Sequence, residues 1–501
     1  MAGDSFRFGP FLVDRHGYRV TRDGKIVPLT PKLLDLLLHL IDHAGSLVTK
    51  EALLDSLWPG ANVTDNALAQ AVSELRDALG DEPKSPQFIK TVARRGYRFI
   101  ARVEPVDLQP SAGASPASSP GARDTSSLEA YRAVMEGSLK LESLDVGELP
   151  HAIADFERAV TIDPRYALAF AGLASAELAL YETTRSDNQP RAELLSSAVG
   201  HARDAAELDQ SLAEAHATLA LVLISTSDTN GAAAAARRAV SIEPSNWRHL
   251  FRLGHATWGE ERLRAGARML TLYPDFAFTY FQMAMVHVAR GHLRDAETVL
   301  RQGAAVQDRQ IGRGGRFPAL GLHWLLGLVR LRLDDVDEAL VEFDRETSLA
   351  EPHRLYGREY AMYAQQARGS ALLAGNRPDE ARLAFQRALD LYPDHAQSHI
   401  GLALAAMRTR NSDKSDEAFA AVVRVLDVLN SARPLEARIV RASLLTARGS
   451  LSEAVSTLDT VLEDAPPGFA GWALPVEPLL VQLHSQEGFK GVLSRLAARA
   501  V

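Results

Sequence analysis

The sequence lacks cysteine altogether, and this absence excludes several kinds of chemistry. Disulfide bonds, thiolate zinc sites and cysteine nucleophiles all need a sulfur that the chain does not have. The N-terminus, MAGDSFRFGP, lacks the basic and then apolar run of a secretion signal. The longest apolar stretch, residues 319–333, is interrupted by His323, Arg330 and Arg332, which makes it too short and too polar to cross a bilayer. We therefore expect a cytoplasmic protein that does not bind membranes.

Catalytic motifs are missing as well. There is no G-x-x-x-x-G-K-[ST] phosphate loop, no H-E-x-x-H zinc motif and no G-x-S-x-G nucleophile elbow. The histidines are scattered and form no metal-spaced pair with carboxylates. We predict that the protein has no catalytic residues, no metal site and no cofactor, and that it is not an enzyme.

Charge is divided unevenly along the 501 residues. The net charge is −8, yet residues 1–103 contain 14 Lys and Arg against 12 Asp and Glu, so this part carries +2 and the remainder −10. Between residues 83 and 103 every charged side chain is basic, namely Lys84, Lys90, Arg94, Arg95, Arg98 and Arg102. Such a local strip is suited to neutralising a phosphate backbone, even in a chain that is acidic overall.

The first hundred residues predict a small α+β domain. Residues 6–29 are rich in β-formers broken by turn residues, which indicates three or four short antiparallel strands. Thr30 with Pro31 and then Thr49 are candidate starts for two helices, and a third covers residues 63–80. Two β-runs, 88–92 and 97–103, form a hairpin with a basic tip. A small sheet, three helices and a C-terminal hairpin are a winged-helix arrangement.

The third helix is amphipathic and ends at Gly80. Its apolar face consists of Leu68, Val72, Leu75 and Leu79, which recur at helical spacing. Its opposite face carries the short polar side chains of Asn66, Gln70, Ser73 and Asp77, with Glu74 beside them. Amide, hydroxyl and carboxylate groups of this kind read base edges in a DNA major groove. A solvated surface face is the alternative interpretation.

Four segments in order carry a family resemblance: LTPKLLDLLLHL, SLVTKEALLDSLWPG, ALAQAVSELRDALGD and FIKTVARRGYRF. They resemble the winged-helix DNA-binding domain of OmpR/PhoB-type regulators, and are most similar to its CadC-like branch. The resemblance implies that the third helix docks in the major groove and that the hairpin is a wing on phosphates or the adjacent minor groove. It also implies that the loop Trp58–Thr64 can face RNA polymerase, and that a homodimer on double-stranded promoter DNA is to be expected.

The resemblance implies a set of DNA-binding positions on the helix and the wing. They are Asn66, Ala67, Gln70, Ala71, Ser73, Glu74, Arg76, Thr91, Arg94, Arg95, Gly96 and Tyr97. This helix carries fewer basic side chains than is usual in the family. We therefore expect weak electrostatic attraction to DNA and recognition of base edges by amide side chains. A structural salt bridge is the alternative for Arg76, and core packing under the wing is the alternative for Tyr97.

The rest of the chain predicts a linker and a helical array. Residues 104–126 are rich in Pro, Ser, Ala and Gly and are typical of a flexible linker. From residue 127 to 501 a small/large/small pattern, clearest at Gly369, Ala381, Phe385 and Ala388, resembles tetratricopeptide (TPR) repeats. We expect eight to ten helix pairs in an all-α superhelix, with residues 476–500 as a cap; related helical repeats are the alternative.

Together these features predict a mainly α protein: a winged-helix domain at 1–103, a linker at 104–126 and a TPR-like array at 127–501. The predicted function is a bacterial transcriptional regulator, located at the nucleoid when it binds promoter DNA. The array would sense a protein partner or a small ligand, or associate with another copy. The alternative is an interaction scaffold whose winged helix binds protein instead of DNA, which the near-neutral charge of residues 1–103 favours.

Overall fold

The computed structural model describes residues 5–14, 19–22, 25–27, 31–57, 65–82, 85–92, 95–105, 125, 127–187, 190–311, 319–465 and 470–501. The chain divides into two compact units, residues 1–119 and 120–501. Within the described parts of both units, no helix is long and apolar enough to pass through a bilayer.

The first unit opens with short strands that pair in sequence order, as predicted. They are β1 (Ser5–Phe8), β2 (Phe11–Asp14), β3 (Arg19–Arg22) and β4 (Lys25–Val27). The pairing is antiparallel throughout, with Phe8 opposite Phe11 in the first hairpin. Apolar side chains at alternate positions of these strands are buried on one face, namely Phe6, Phe8, Phe11, Val13 and Val20.

Three helices follow the sheet, also as predicted: α1 (Pro31–Asp42), α2 (Lys50–Leu57) and α3 (Asp65–Leu79). Thr49 caps α2, because its Oγ1 accepts a hydrogen bond from the Ala52 N–H at 3.1 Å. Gly80 follows α3 with φ of +67°, the left-handed conformation that ends helices. The predicted apolar face of α3 is confirmed, since its four side chains are all buried.

The predicted hairpin is present, but it belongs to a three-stranded sheet. Its strands β6 (Ile89–Val92) and β7 (Gly96–Phe99) are joined by β5 (Val48–Thr49), which pairs with the other edge of β7. The strand β7 ends four residues earlier than the sequence pattern predicts. The strand β5 was not predicted, because two residues are too few to show an alternating pattern.

The first unit extends slightly beyond the predicted domain boundary at residue 103. Strand β8 (Glu104–Pro105) pairs with β1, placing Pro105 opposite Phe6 and Glu104 opposite Arg7. The backbone of these two residues is therefore part of the first sheet, although their composition had assigned them to the linker. Residues 106–124 of the predicted linker lie outside the described residues.

Aromatic rings join both sheets of the first unit. The ring of Phe8 lies 5.2 Å from Phe11, 5.4 Å from Phe88 and 5.0 Å from Phe99, measured between ring centroids. The apolar faces of α1 and α3 pack in the same core. Since Phe88 precedes β6, this packing holds the hairpin against the helices.

The second unit is all-helical in the residues described. Its nineteen α-helices are α4 (Leu128–Glu142), α5 (Leu149–Ile162), α6 (Ala167–Glu182), α7 (Ala192–Leu208), α8 (Ala213–Ser225), α9 (Thr229–Ile242), α10 (Trp247–Ala256), α11 (Gly259–Leu272), α12 (Ala277–Ala289), α13 (Leu293–Ile311), α14 (Leu322–Arg332), α15 (Val336–Leu349), α16 (Gly357–Ala374), α17 (Pro378–Leu391), α18 (Ala396–Arg408), α19 (Ser412–Ala432), α20 (Pro434–Ala447), α21 (Leu451–Asp464) and α22 (Glu487–Ala498). This number fits the predicted eight to ten pairs.

The helices stack as a superhelical repeat array. Each helix packs against the next along the chain, and the even-numbered helices from α4 to α20 also contact one another. The even-numbered helices therefore form a continuous inner layer, and the odd-numbered helices lie outside it.

The small/large/small pattern has a direct packing explanation. The ring of Phe385 on α17 is fully buried between Gly369 of α16 and Gly401 of α18. A Cβ atom at these two glycines would lie 2.7 Å and 2.3 Å from the Phe385 ring. Phe156 and Phe343 sit against glycines of neighbouring helices in the same way. The glycines allow each large side chain of an outer helix to enter the inner layer.

The C-terminal segment does more than cap the last helices. Two short 3-10 turns, Leu474–Val476 and Pro478–Ser485, pack against α14, and one or the other also contacts α12 and α16. The Trp472 ring lies 6.4 Å from both Phe281 and Trp324. Residues 472–485, which we name the C-terminal segment, thus cover inner helices from the middle of the array.

We predict that Gly401→Ala destabilises the second unit by about 1–3 kcal/mol, because the new methyl group overlaps the Phe385 ring. Calorimetric unfolding of the full chain should show a lower midpoint. Gly200→Ala is the matched control, since Gly200 lies inside α7 with nothing within 4 Å of the added atom. It should leave stability unchanged or raise it by up to about 1 kcal/mol. Equal loss in both variants would contradict the packing explanation.

Candidate nucleic-acid interface

A buried arginine connects α3 to the hairpin. Arg76 lies in the last turn of α3 and is only 7% exposed. Its Nη2 donates hydrogen bonds to the Ile89 carbonyl oxygen at 2.7 Å and to Thr91 Oγ1 at 2.8 Å. Both acceptors belong to β6, so this side chain fixes the end of the helix against the first strand of the hairpin.

Asp81 completes this connection. Its Oδ2 lies 4.0 Å from Arg76 Nε and accepts a hydrogen bond from the Ile89 N–H at 2.8 Å. Its Oδ1 accepts from the backbone N–H groups of Gln87 and Phe88. A buried charge pair whose remaining lone pairs are satisfied by backbone donors has the geometry in which such pairs are tolerated. Asp81 was not among the predicted site residues, although an acid directly after the helix-ending Gly80 was an available signal.

The predicted helix positions do not share one environment. Ser73 is exposed, and so is Ala69, which lies one turn before it. Ala71 is 8% exposed and packs in the core of the unit, while Arg76 is held by β6. The positions of Ala71 and Arg76 do not suit direct DNA contact, and Arg76 fits the structural alternative. The backbone of α3 includes four more predicted positions, but their side chains lie outside the described residues: Asn66, Ala67, Gln70 and Glu74.

The wing positions also divide between surface and core. Thr91 and Arg95 are exposed, whereas Tyr97 is 6% exposed and matches the core-packing alternative. Gly96 is buried with φ of +152°, and a Cβ there would lie 2.0 Å from the Val48 carbonyl oxygen. Gly96 therefore lets β5 approach the hairpin. Arg94 lies outside the described residues, as does the loop at 58–64.

Two further basic residues stand on the hairpin surface. Lys90 of β6 and Arg98 of β7 lie directly opposite each other in the strand register, and both are exposed. Like charges directly across a strand pair repel each other. Such a pair favours an anion nearby, and together with Arg95 it forms what we name the basic hairpin surface: Lys90, Arg95 and Arg98.

The second unit contains a group that the sequence did not predict. His287 near the end of α12, His292 in the turn and Asp295 in α13 each offer one ligand atom, and these atoms lie within 4.8 Å of one another. Burial lowers the pKa of His287, which favours the neutral form of its imidazole. His292 and Asp295 are exposed. The sequence showed no metal-spaced pair of histidine and carboxylate, and this turn brings the three side chains together.

Comparison with known families agrees with these two architectures. Residues 24–99 match the family described as transcriptional regulatory protein, C terminal. The first unit carries an OmpR/PhoB-type domain. Residues 281–349 and 367–424 match the tetratricopeptide repeat family, so the resemblance seen in the sequence is confirmed for both parts.

Individual relatives of the first unit are transcriptional regulators. The transcriptional activator CadC of Escherichia coli is 36% identical over 98 residues, which is 19% of each chain. The regulatory protein AfsQ1 of Streptomyces coelicolor is 38% identical over 97 residues, 19% of this chain and 43% of that protein. The solved DNA-binding domain of E. coli CadC is 33% identical and fully covered, over 21% of this chain, with a TM-score of 0.19. The chain spans less than half the length of either full-length relative.

We predict that Arg76→Ala destabilises the first unit by about 1–3 kcal/mol, because it leaves the buried Ile89 carbonyl without its donor. Differential scanning calorimetry of the full chain should show a lower midpoint for this unit. Ser73→Ala on the exposed side of the same helix is the control and should change stability by no more than about 0.5 kcal/mol. Unchanged stability in Arg76→Ala would show that the hydrogen bonds to β6 do not hold the helix.

Proposed function

We propose that this protein is a sequence-specific transcriptional regulator whose first unit binds double-stranded promoter DNA. The observation that supports this most is the attachment of α3 to a hairpin with an exposed basic surface. A helix that carries polar side chains next to a positive hairpin matches the docking of winged-helix proteins, with the helix in the major groove and the wing on the backbone.

The two elements have separate tasks in this proposal. Arg76 is the only basic residue in α3 and its guanidinium is bound to β6, so the helix contributes little attraction to phosphates. The basic hairpin surface and Arg94 supply that attraction. Base readout falls to Asn66 and Gln70, which suit adenine, and to Glu74, which suits the amino group of cytosine.

The second unit is the sensing part of the proposed regulator. TPR arrays mediate protein interaction, and this array is proposed to bind a protein partner, a small ligand or a second copy of the chain. A homodimer would place two first units on adjacent half-sites at the nucleoid. The Trp58–Thr64 loop is the proposed contact for RNA polymerase.

An interaction scaffold remains the second candidate, because residues 1–103 carry a charge of only +2. In that case the first unit binds protein through the same surface. Genome-wide mapping of bound sites separates the two: enriched promoters support the regulator, whereas partners recovered through the first unit without promoter enrichment support the scaffold.

We predict that Arg95→Ala weakens binding to every DNA sequence by a similar factor, about 3–10-fold at moderate salt, because one phosphate contact is lost. The slope of log affinity against log salt should fall by about 1. Fluorescence anisotropy with specific and unrelated duplexes measures both quantities. Arg7→Ala, an exposed arginine on β1, removes the same charge from the other sheet and should have a much smaller effect. If the two variants are equal, the hairpin is not the phosphate-binding surface.

We predict that Gln70→Ala changes sequence preference instead of general affinity. Loss of a bidentate amide contact should reduce discrimination at one base pair by about 1–3 kcal/mol and leave the salt slope unchanged. Binding to a set of single-base operator variants provides the measurement. A uniform loss over all variants would indicate that this residue does not read a base.

A further inference from the structure

A cavity of about 540 Å³ opens in the second unit between α16, α18 and α20. Its volume lies within the range of small-molecule binding sites in proteins. Helix α16 contributes Met362 and Tyr363, and the turn between α17 and α18 contributes Tyr392 and His395. The entry to α20 contributes Arg433 and Glu436.

One part of the cavity wall is apolar and aromatic. Met362 and Leu429 are almost fully buried, and Tyr392 is buried beneath the guanidinium of Arg358, whose Cζ lies 3.9 Å from the ring centroid. The Tyr363 hydroxyl donates to Glu359 Oε1 at 3.2 Å, which leaves its ring as part of the wall. Such a surface suits an apolar side chain.

Two ion pairs line the cavity, together with the polar residues Ser186, Asp394 and Gln397. Arg433 Nη1 lies 3.0 Å from Glu436 Oε2, and Arg358 Nη1 lies 3.3 Å from Asp187 Oδ1. The four side chains stay between 27% and 41% exposed, although they line a recess. Both signs of charge are therefore accessible to a solute inside the cavity.

The balance of charges decides which solute fits. An anion would be attracted by the arginines but repelled by Asp187 and Glu436. A cation would be attracted by these two acids but repelled by the arginines. Burial lowers the pKa of His395 to about 3, so this ring adds no charge. Burial also raises the pKa of Glu436, so its carboxylate would gain from an added cation.

We propose that this cavity binds a small zwitterion of the amino-acid type with an apolar side chain. Arg433 holds the carboxylate of the ligand, Glu436 accepts hydrogen bonds from its ammonium group, and the apolar side chain lies against Tyr363 and Met362. The assignment rests on the sensing role proposed for the second unit and names its ligand class.

The position of the cavity also links distant parts of the array. Ser186 and Asp187 belong to the loop after α6, and the Ser186 carbonyl accepts a hydrogen bond from Arg433 at 3.5 Å. The preceding residue, Arg185, pairs with Glu359 of α16 at 2.9 Å. A ligand that bridges these elements would make the contact between early and late repeats more rigid. Such a change in rigidity is a means by which the array could signal that the ligand is bound.

Isothermal titration calorimetry on the full chain tests the ligand class. The probes are L-phenylalanine and the dipeptide L-phenylalanyl-L-leucine, each with its N-acetylated form, which lacks the cation, and its amide, which lacks the anion. We expect at least one zwitterion to bind at least about tenfold more tightly than both of its single-charge forms. Equal or tighter binding of a single-charge form, or no binding of any probe at ~10 mM, overturns the proposal.

Two variants test the residues. Glu436→Gln keeps the shape of the side chain and should weaken zwitterion binding about tenfold or more, and Arg358→Gln, on the opposite pair, should also weaken it. Glu417→Gln on the exposed side of α19 is the matched control and should bind as the parent does. Unaltered affinity in both cavity variants, with thermal unfolding unchanged, refutes the assignment.

Promoter binding is measured separately, so that the two proposals fail independently. Zwitterion binding without any change in promoter affinity leaves the cavity assignment intact and removes its role as the regulator's signal. Zwitterion binding by a chain that binds no promoter refutes the regulator alone.

Discussion

The hydrogen bonds of the buried Arg76 side chain are the constraint on which the first unit depends. They join the end of α3 to β6, and Asp81 holds the start of that strand through three backbone N–H groups. The helix ends at Leu79 and the first strand of the hairpin begins at Ile89. Because this connection is buried and charged, it fixes the position of α3 relative to the hairpin. A surface that docks in a DNA groove needs such a fixed position.

The same constraint explains how much of the candidate site could be predicted. Helical periodicity predicted α3 and its buried face, and β-formers around a basic tip predicted the hairpin, because these signals are local. The burial of Arg76, the role of Asp81 and the pairing of β5 depend on contacts between different elements, which the periodicity within one element does not show. A single basic residue on a polar helix looks the same in sequence whether it faces DNA or a neighbouring strand, so both a DNA contact and a structural salt bridge were open for Arg76, which is buried.

The repeat array shows a similar division. The small residues Gly369, Ala381 and Ala388 and the large Phe385 predicted the helix pairs, because close helix approach leaves a sequence signal. The cavity left no comparable signal, since the residues of its two ion pairs come from the loop after α6, from α16 and from the entry to α20. The turn that brings His287, His292 and Asp295 together also left no sequence signal, because the spacing of these residues matches no familiar ligand motif.

The C-terminal segment has a consequence for how the array holds together. In an open solenoid each repeat touches only its neighbours, so the ends fray independently and stability grows as a sum along one dimension. Here Trp472 and Val476 close a loop back to α12 and α14, and Arg354 near α16 donates a hydrogen bond to the Ser143 carbonyl after α4. We expect these contacts to make the second unit unfold in one cooperative transition instead of repeat by repeat, with residues 472–485 stabilising helices from the middle of the array.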